Sequence, residues 1–496
     1  MMSVTSQTRY PAIPGLPNIT VGSPSSGFGE VQTIAPTPTS QVAFVYTLNP
    51  LLVTSDVYGT GASVTAVNGE ATMVSGTSTD GYARLVSKKV AKYRAGQATM
   101  ARWTARFTTG SSGNRQMAGL YNIEAGYQIG YDGTQFGILY TEAATVEVQT
   151  LTITSKATSA TNVIITLDAG TPVTVPVTNG ANTSVTAAEI AAGNYSQSAG
   201  GWDAEAVGNV VYFTRKTAGT AGASTFNPGT SGAVGQFAIL TTGVAPTETF
   251  IPQTSWNGEV PAGFDPTKGN VYAVQFQYLG YGDAFFYIED AVTGRFNLVH
   301  TIKNANARTS TVLRNPNLYL TWESRNTGTG TSVTMRGASG AAFVEGDVEF
   351  LGAQFAVTAT KTAGAGVETP ILSIRAGRVY QNRISTAQLQ IDRFSVACDG
   401  TKTVDFKVYK NATLTAPQFA RVNAATSAAD YDSAASSVSL GSGTQVYSFS
   451  VSKTGNATES VADLALFMQA GDTITVTAFS VNASDVSASI VWIEDI

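Results

Sequence analysis

Histidine and cysteine are almost missing from this chain: His300 and Cys398 are the single copies among 496 residues. One of each rules out an intrachain disulfide, a His/Cys zinc cluster and a triad needing a second histidine. Charge is scarce as well. Asp, Glu, Lys and Arg make up 13% of the residues, about half the share usual in a globular protein. The net charge of -5 leaves no basic stripe for nucleic acid and no attraction to anionic membranes, so neither partner is expected. No apolar run is long enough to span a bilayer, and the start MMSVTSQTRYPAIPGLPNIT lacks the apolar core of a signal peptide. Spaced Asp-x-Asp-x-Asp-Gly loops for calcium are absent. NTGTGTS, which follows Arg325, is Gly-rich but has no Lys-Ser/Thr tail to hold a phosphate. No catalytic residue, metal site or cofactor is expected.

In place of charge come Thr, Ser, Ala and 49 glycines. Thr suits a pleated surface, and Gly and Ser suit tight turns. The length admits two to four domains. Residues 1–42 carry Pro11, Pro14, Pro17, Pro24, Pro36 and Pro38, which exclude a helix or an inner strand. Ile13, Leu16, Ile19, Phe28, Val31 and Ile34 make this block more apolar than a solvated linker, so an extended arm along a neighbouring subunit is expected. Alternation then begins. Ala101, Trp103, Ala105 and Phe107 interleave with Arg102, Thr104 and Arg106, the period of a half-buried strand. Asp132-Gly133 and Thr293-Gly294 sit between aromatic-rich runs as hairpin turns.

Between residues 144 and 249 aromatics thin out. TAAEIAAGN reads as a short helix capped by Thr186 with Glu189 three residues on, and Gly208-Asn209 as another hairpin turn. This texture predicts a small α+β domain inserted at a loop of a sandwich built from residues 43–143 and 250–346. Residues 347–496 read as a second all-strand domain, in which Ile490 and Trp492 alternate with Val491 and Ile493 in a terminal strand.

CDGTKTVDFKVYKNAT, residues 398–413, concentrates what looks most like chemistry. Leu389 and Ile391 are odd, whereas Phe394, Val396 and Cys398 are even, a parity change that predicts a bulge near Asp392–Arg393. Cys398 then shares the core face with Val396, and Asp399-Gly400 turns a hairpin into Val404, Phe406 and Val408. The sequon at Asn411 is one of six, with Asn18, Asn182, Asn194, Asn456 and Asn482. In a Ser/Thr-rich chain such triplets arise by chance, and without a secretory route they are not expected to carry sugar.

Carboxylate pairs can make a glycosidase. Asp203 with Glu205, Glu289 with Asp290, and Asp430 with Asp432 are the visible pairs, and each fits a turn or a solvated strand face better. His300 reads as a packed or hydrogen-bonded residue. Trp256, Tyr278, Tyr281, Tyr319 and Trp322 are candidates for stacking on sugar rings, with core packing the stronger expectation for most of them.

Several long stretches carry a resemblance. FDPTKGNVYAVQFQYLGYGDAFFYIEDAVTGRFNLVHTI, AAFVEG, DGTKTVDFKVYKNATLT and the terminal WIEDI resemble a family of poorly characterised virion proteins of tailed phages and large DNA viruses. The similarity covers about three-quarters of the chain, and the family supplies no catalytic residues. It implies a particle component made in the host cytoplasm. AGDTITVTA resembles a strand of the trimeric C1q- and tumour-necrosis-factor-like jelly rolls. The expected fold is all-β and multidomain: a concanavalin-like jelly-roll sandwich with a small α+β insert, then a C-terminal jelly-roll-like sandwich. The expected role is a non-enzymatic virion structural protein, a capsid decoration, fibre or tail component. It would form a homo-oligomer, a trimer by preference, and meet other virion proteins through the arm. The alternative is a protein of the same particle that binds host surface glycans as receptors, or hydrolyses them.

Overall fold

The computed structural model describes residues 36–346, 352–464 and 466–496. Residues 1–35 of the expected arm, and 347–351 at the expected boundary of the last domain, lie outside them. Strands dominate, gathered around three separate hydrophobic clusters, and the fold is all-β and multidomain.

The first cluster lies between a nine-stranded and a ten-stranded sheet. Strand Thr99–Phe107 alternates as its sequence predicts, burying Ala101, Trp103, Ala105 and Phe107. Aromatic rings bridge the two sheets: Tyr127 stacks on Tyr140 at 5.3 Å between centroids and meets Phe276 at 5.2 Å. Trp322 is fully enclosed, donates its indole N–H to Thr104 O at 3.0 Å and meets Phe44 edge-on. Its ring sits so close to Gly337 and Gly340 that a Cβ on either would lie within 2.6 Å and 2.9 Å of it, which explains the glycines of RGASGAA. Both aromatic hairpins form, with Gly133 and Gly294 at φ +60° and +66°. Pro36–Ala43, the end of the expected arm, pairs with Ser339–Glu345 of its own chain. It forms an outer strand with a register slip at Pro38, where the missing N–H is tolerated.

The insert is joined differently from the expectation. Strand Gln135–Ser155 runs 21 residues without a break from the sandwich into the insert. Val244–Pro252 returns along its first half, while Val210–Ala218 and Val234–Thr241 pair with its second half. The insert therefore grows out of a strand pair, and no loop tip separates the two. Its helix is Thr183–Ala191, capped by Asn182 Oδ1, which accepts from Val185 N at 3.1 Å. The cap expected at Thr186 is wrong. Asn is the stronger N-cap, and Thr186 is buried inside the helix, where its hydroxyl accepts from Ala157 N.

The last domain has eight main strands: Ala353–Ala363, Thr369–Ala376, Gln388–Asp399, Val404–Lys410, Thr444–Val451, Asn456–Ser460, Thr473–Phe479 and Ser484–Asp495. Counted in chain order, one sheet runs first-eighth-third-sixth and the other second-seventh-fourth-fifth. That interleaving is a jelly roll, in which all successive strands but the fourth and fifth cross between sheets. It corrects the hairpin expected at Asp399-Gly400. The third and fourth strands belong to opposite sheets, so the turn arches over the core and both strands face it with Val396, Cys398, Val404 and Phe406. The predicted bulge is present as a register slip between Ile391 and Arg393. The terminal strand lies inside its sheet, between the first and third strands.

Cys398 is 5% exposed and its thiol donates to Ser452 O at 3.0 Å. A thiol so enclosed is inert toward reagents. Thiol titration of the folded chain should give almost no reaction, and one thiol per chain after denaturation in guanidinium. Fast labelling of the folded chain would contradict this packing.

Candidate functional site

The site begins with three adjacent strands of the ten-stranded sheet. Their inner faces carry Val53, Leu85, Leu320 and Trp322 into the core. Period-2 alternation sends their neighbours outward in two rows. Thr54, Val86 and Thr321 lie opposite one another, and so do Asp56, Arg84 and Glu323. Arg84 binds Asp56 at 3.2 Å and Glu323 at 3.4 Å, and Arg325 adds a contact to Glu323 at 2.8 Å. Tyr121 and Tyr319 are cross-strand partners beside these rows.

The other two domains cover this polar face. From the insert, Lys216 reaches Asp56 at 2.7 Å and Asp203 at 3.2 Å. From the jelly roll, Arg378 reaches Asp203 at 3.0 Å, and its backbone N–H, with that of Val379, donates to Glu205. Arg375 lies between Glu205 and Asp430, with Arg421 on the far side of Asp430. The jelly roll also meets the sandwich directly. Asp472 takes Lys88 at 2.8 Å and Lys410 at 3.0 Å, Asp495 takes Arg94, and Glu124 takes Arg383 at 2.7 Å.

Where the three domains meet, a cavity of about 430 Å³ remains, a size typical of small-molecule sites. Its floor is Thr54, Asp56, Arg84, Val86 and Thr321, and Tyr121 and Tyr319 border it. Asp203 and Lys216 come from the insert, and Arg378, Asn411, Gln469 and Asp472 from the jelly roll. Gly471, at φ +89°, lies directly under the guanidinium of Arg378, and a Cβ there would lie 2.5 Å from it. Gln469 is 7% exposed and neither atom of its side-chain amide has a hydrogen-bond partner.

Burial pushes the carboxyl of Asp56 upward, but Lys216 and Arg84 outweigh it and hold the group below the ordinary 3.8. Burial likewise opposes, and Arg325 and Arg84 outweigh it, at Glu323. At Asp472 the cations that prevail over burial are Lys410 and Lys88. Burial pushes the phenols of Tyr121 and Tyr319 up to about 12.

Of the aromatic candidates, only Tyr319 borders the cavity. Trp322 is a core residue, closed to any ligand. Trp256 packs on Phe136 and donates its indole N–H to Ile251 O. Tyr278 packs on Tyr93 and donates its hydroxyl to Leu313 O, while Tyr281, 47% exposed, shares its turn. These side chains have different ring neighbours and do not build one platform.

Five of the six candidate carboxylates have structural partners, and Glu289 stands half-buried at the end of strand Ala284–Glu289, opposite Phe296. Asp203, Glu205 and Asp430 are held by the cations named above. Asp432 accepts from the N–H groups of Gln418, Ala434 and Ala435. Asp290 accepts from Val292 and Thr293 in its turn. His300 is 7% exposed, accepts from Asn257 N at its Nδ1, and is held below its ordinary pKa by burial. The Asn411 amide donates to Asp472 at 3.0 Å. Among the described residues no cluster of three or more His, Cys, Asp or Glu could hold a metal, and no helix is long and apolar enough to cross a membrane.

No family model and no curated protein matches the chain. Solved structures that align with it include the metal-free carbohydrate recognition domain of Emp46p, 9% identical over 61% of this chain and 97% of that one, with a TM-score of 0.22. A legume lectin-like domain from Entamoeba histolytica aligns over the same shares at 7% identity and 0.22. A structure titled for the triple jelly roll fold and turret assembly in an archaeal virus covers 93% of this chain and 97% of its own at 8% identity and 0.16. At these scores the likenesses carry no argument about this chain.

The depressed carboxylates fix a pH dependence. Their unfolded values lie near 3.8 for Asp and 4.5 for Glu, so the stability they contribute is complete above about 4.5 and is lost as pH falls through the lower folded values. The melting temperature should drop steeply below pH 4.5. Asp472→Asn should flatten that drop and, at pH 7, destabilise by up to about 3–5 kcal/mol, because two partly buried lysines lose their counter-ion. Equal pH profiles for the two proteins in thermal melts would contradict this assignment.

Proposed function

We propose that the chain is a non-enzymatic structural component of a virus particle: a capsid decoration, fibre or tail protein, exposed on the particle and assembling with copies of itself. One observation carries the non-enzymatic part. Asp203, Glu205, Asp290, Asp430 and Asp432 are held by cations or backbone N–H groups in structural roles. A glycosidase needs one carboxyl group kept protonated and another free to attack or to activate water.

The virion part is supported by the sequence resemblance and by the jelly-roll strand order, an architecture that capsid domains use. A fold does not fix a function, and no family model or curated protein bears the resemblance out, so the strand order is the observation on which the virion part rests. Assembly as a trimer is part of the proposal, and the terminal strand adds nothing to it. The apolar terminal strand is covered on both sides by its own chain and leaves no edge to share. What supports association now is the outer strand Val234–Thr241 of the insert. It pairs on one side only, carries no charge, and exposes Val234 and Ile239 at 54% and 59%, a kind of edge that proteins normally protect.

Light scattering on the full chain should give a multiple of 51.5 kDa at micromolar concentration, and a chain lacking residues 1–35 should keep the same number of subunits while losing attachment to the particle. A monomeric full chain would overturn self-assembly. Peptide mass spectrometry of purified particles that failed to detect the chain would overturn the virion reading.

A further inference from the structure

We propose that the cavity at the three-domain junction is a binding site for a carboxylate-bearing sugar of about monosaccharide size. The inference starts from unequal use of donors and acceptors. Four cationic side chains line the cavity, Arg84, Lys88, Lys216 and Arg378, against three carboxylates, Asp56, Asp203 and Asp472. Each carboxylate already has two cations within 3.2 Å. Arg378, by contrast, donates from its side chain only through Nη1, to Asp203, and the Lys88 ammonium meets only Asp472. A guanidinium has five N–H donors and an ammonium three. The surplus at the wall is therefore donors carrying positive charge, which call for an anionic acceptor.

The remaining groups narrow the class. Gln469 lines the cavity with a side-chain amide whose oxygen and nitrogen both lack partners. A buried amide left so is costly, and a group presenting an adjacent donor and acceptor would satisfy it. Neighbouring hydroxyls of a sugar ring do this, because a hydroxyl both donates and accepts. Tyr121 and Tyr319 add half-buried ring faces at the border, suited to the C–H face of a sugar. An inorganic anion would answer the cations but not the amide or the rings. A neutral sugar would leave the surplus charge unmet. The site is independent of where on a particle the chain resides, and of whether it resides on one.

The test is titration of the purified full chain with glucuronic acid and N-acetylneuraminic acid, and with glucose as the neutral control, followed by calorimetry and by ligand-observed NMR. Saturable binding of at least one acid is expected, with glucose weaker by about tenfold or more. Gln469→Leu removes no hydrogen bond from the fold, so its melting temperature should match the parent while its affinity for the acid falls about tenfold. Failure of both acids to bind, or glucose binding as tightly as the acid, would overturn the ligand class. Undiminished binding by the folded Gln469→Leu variant would overturn the location.

Discussion

The polar face of one sheet, outside the main sandwich core, sets the arrangement of everything around it. Asp56, Arg84 and Glu323 stand opposite one another on three neighbouring strands. A row of charges at the centre of a buried face must be answered by charges from whatever covers it, because an unpaired buried ion costs several kcal/mol. Lys216 of the insert answers Asp56, and Arg378 of the jelly roll reaches the same chain of contacts through Asp203. The insert and the jelly roll are thereby held in register with the sandwich. Replacing such pairs by apolar side chains is often neutral in stability. Their contribution here is orientation: apolar surfaces can slide, and a chain of specific ion pairs cannot.

The low charge of the sequence bears on this placement. With 13% charged residues, the chain has few ions for its solvent face, and many of those it has are placed at domain contacts. Arg94 with Asp495 and Arg383 with Glu124 repeat the pattern at other points of the same interface. Bonds to backbone carbonyls reinforce it: the Arg375 guanidinium donates to Ala206 O at 2.7 Å and Gly208 N to Phe419 O at 2.7 Å.

Local features of the fold were legible in the sequence where local physics decides them. Period-2 alternation predicted strand Thr99–Phe107, the Asp132-Gly133 and Thr293-Gly294 turns formed hairpins, and the parity change near Asp392 marked a real bulge. Partner choice was not legible. The Asp399-Gly400 turn has the residues of a hairpin, yet its strands enter opposite sheets, because each finds its partners far along the chain. Nor did composition show that strand Gln135–Ser155 serves two domains at once. The cavity was hidden for the same reason. Arg84, Lys216, Arg378 and Gln469 lie on segments with no common motif, and only the three-domain packing brings them together. Of the residues singled out in advance, Asp203, Tyr319 and Asn411 line it, and of these Asp203 and Asn411 do so through a role other than the one considered.

The cavity and the ion pairs have one physical origin. Well-matched apolar faces interdigitate to near-crystalline density and leave few voids larger than a water molecule. Faces built from Asp, Arg, Lys and Thr are bound to hydrogen-bonding geometry, so they meet at fixed distances and angles and cannot collapse into every gap. Where three such faces converge, a space persists, and its walls are already held in place by the contacts that created it. Asp56, Asp203 and Asp472 each hold two cations, and Gly471 admits the Arg378 guanidinium at close range. A ligand entering such a space finds donors that need little reorganisation, which is the main cost a flexible site would add. In this chain, then, the interaction that aligns the domains also preorganises a pocket that they share.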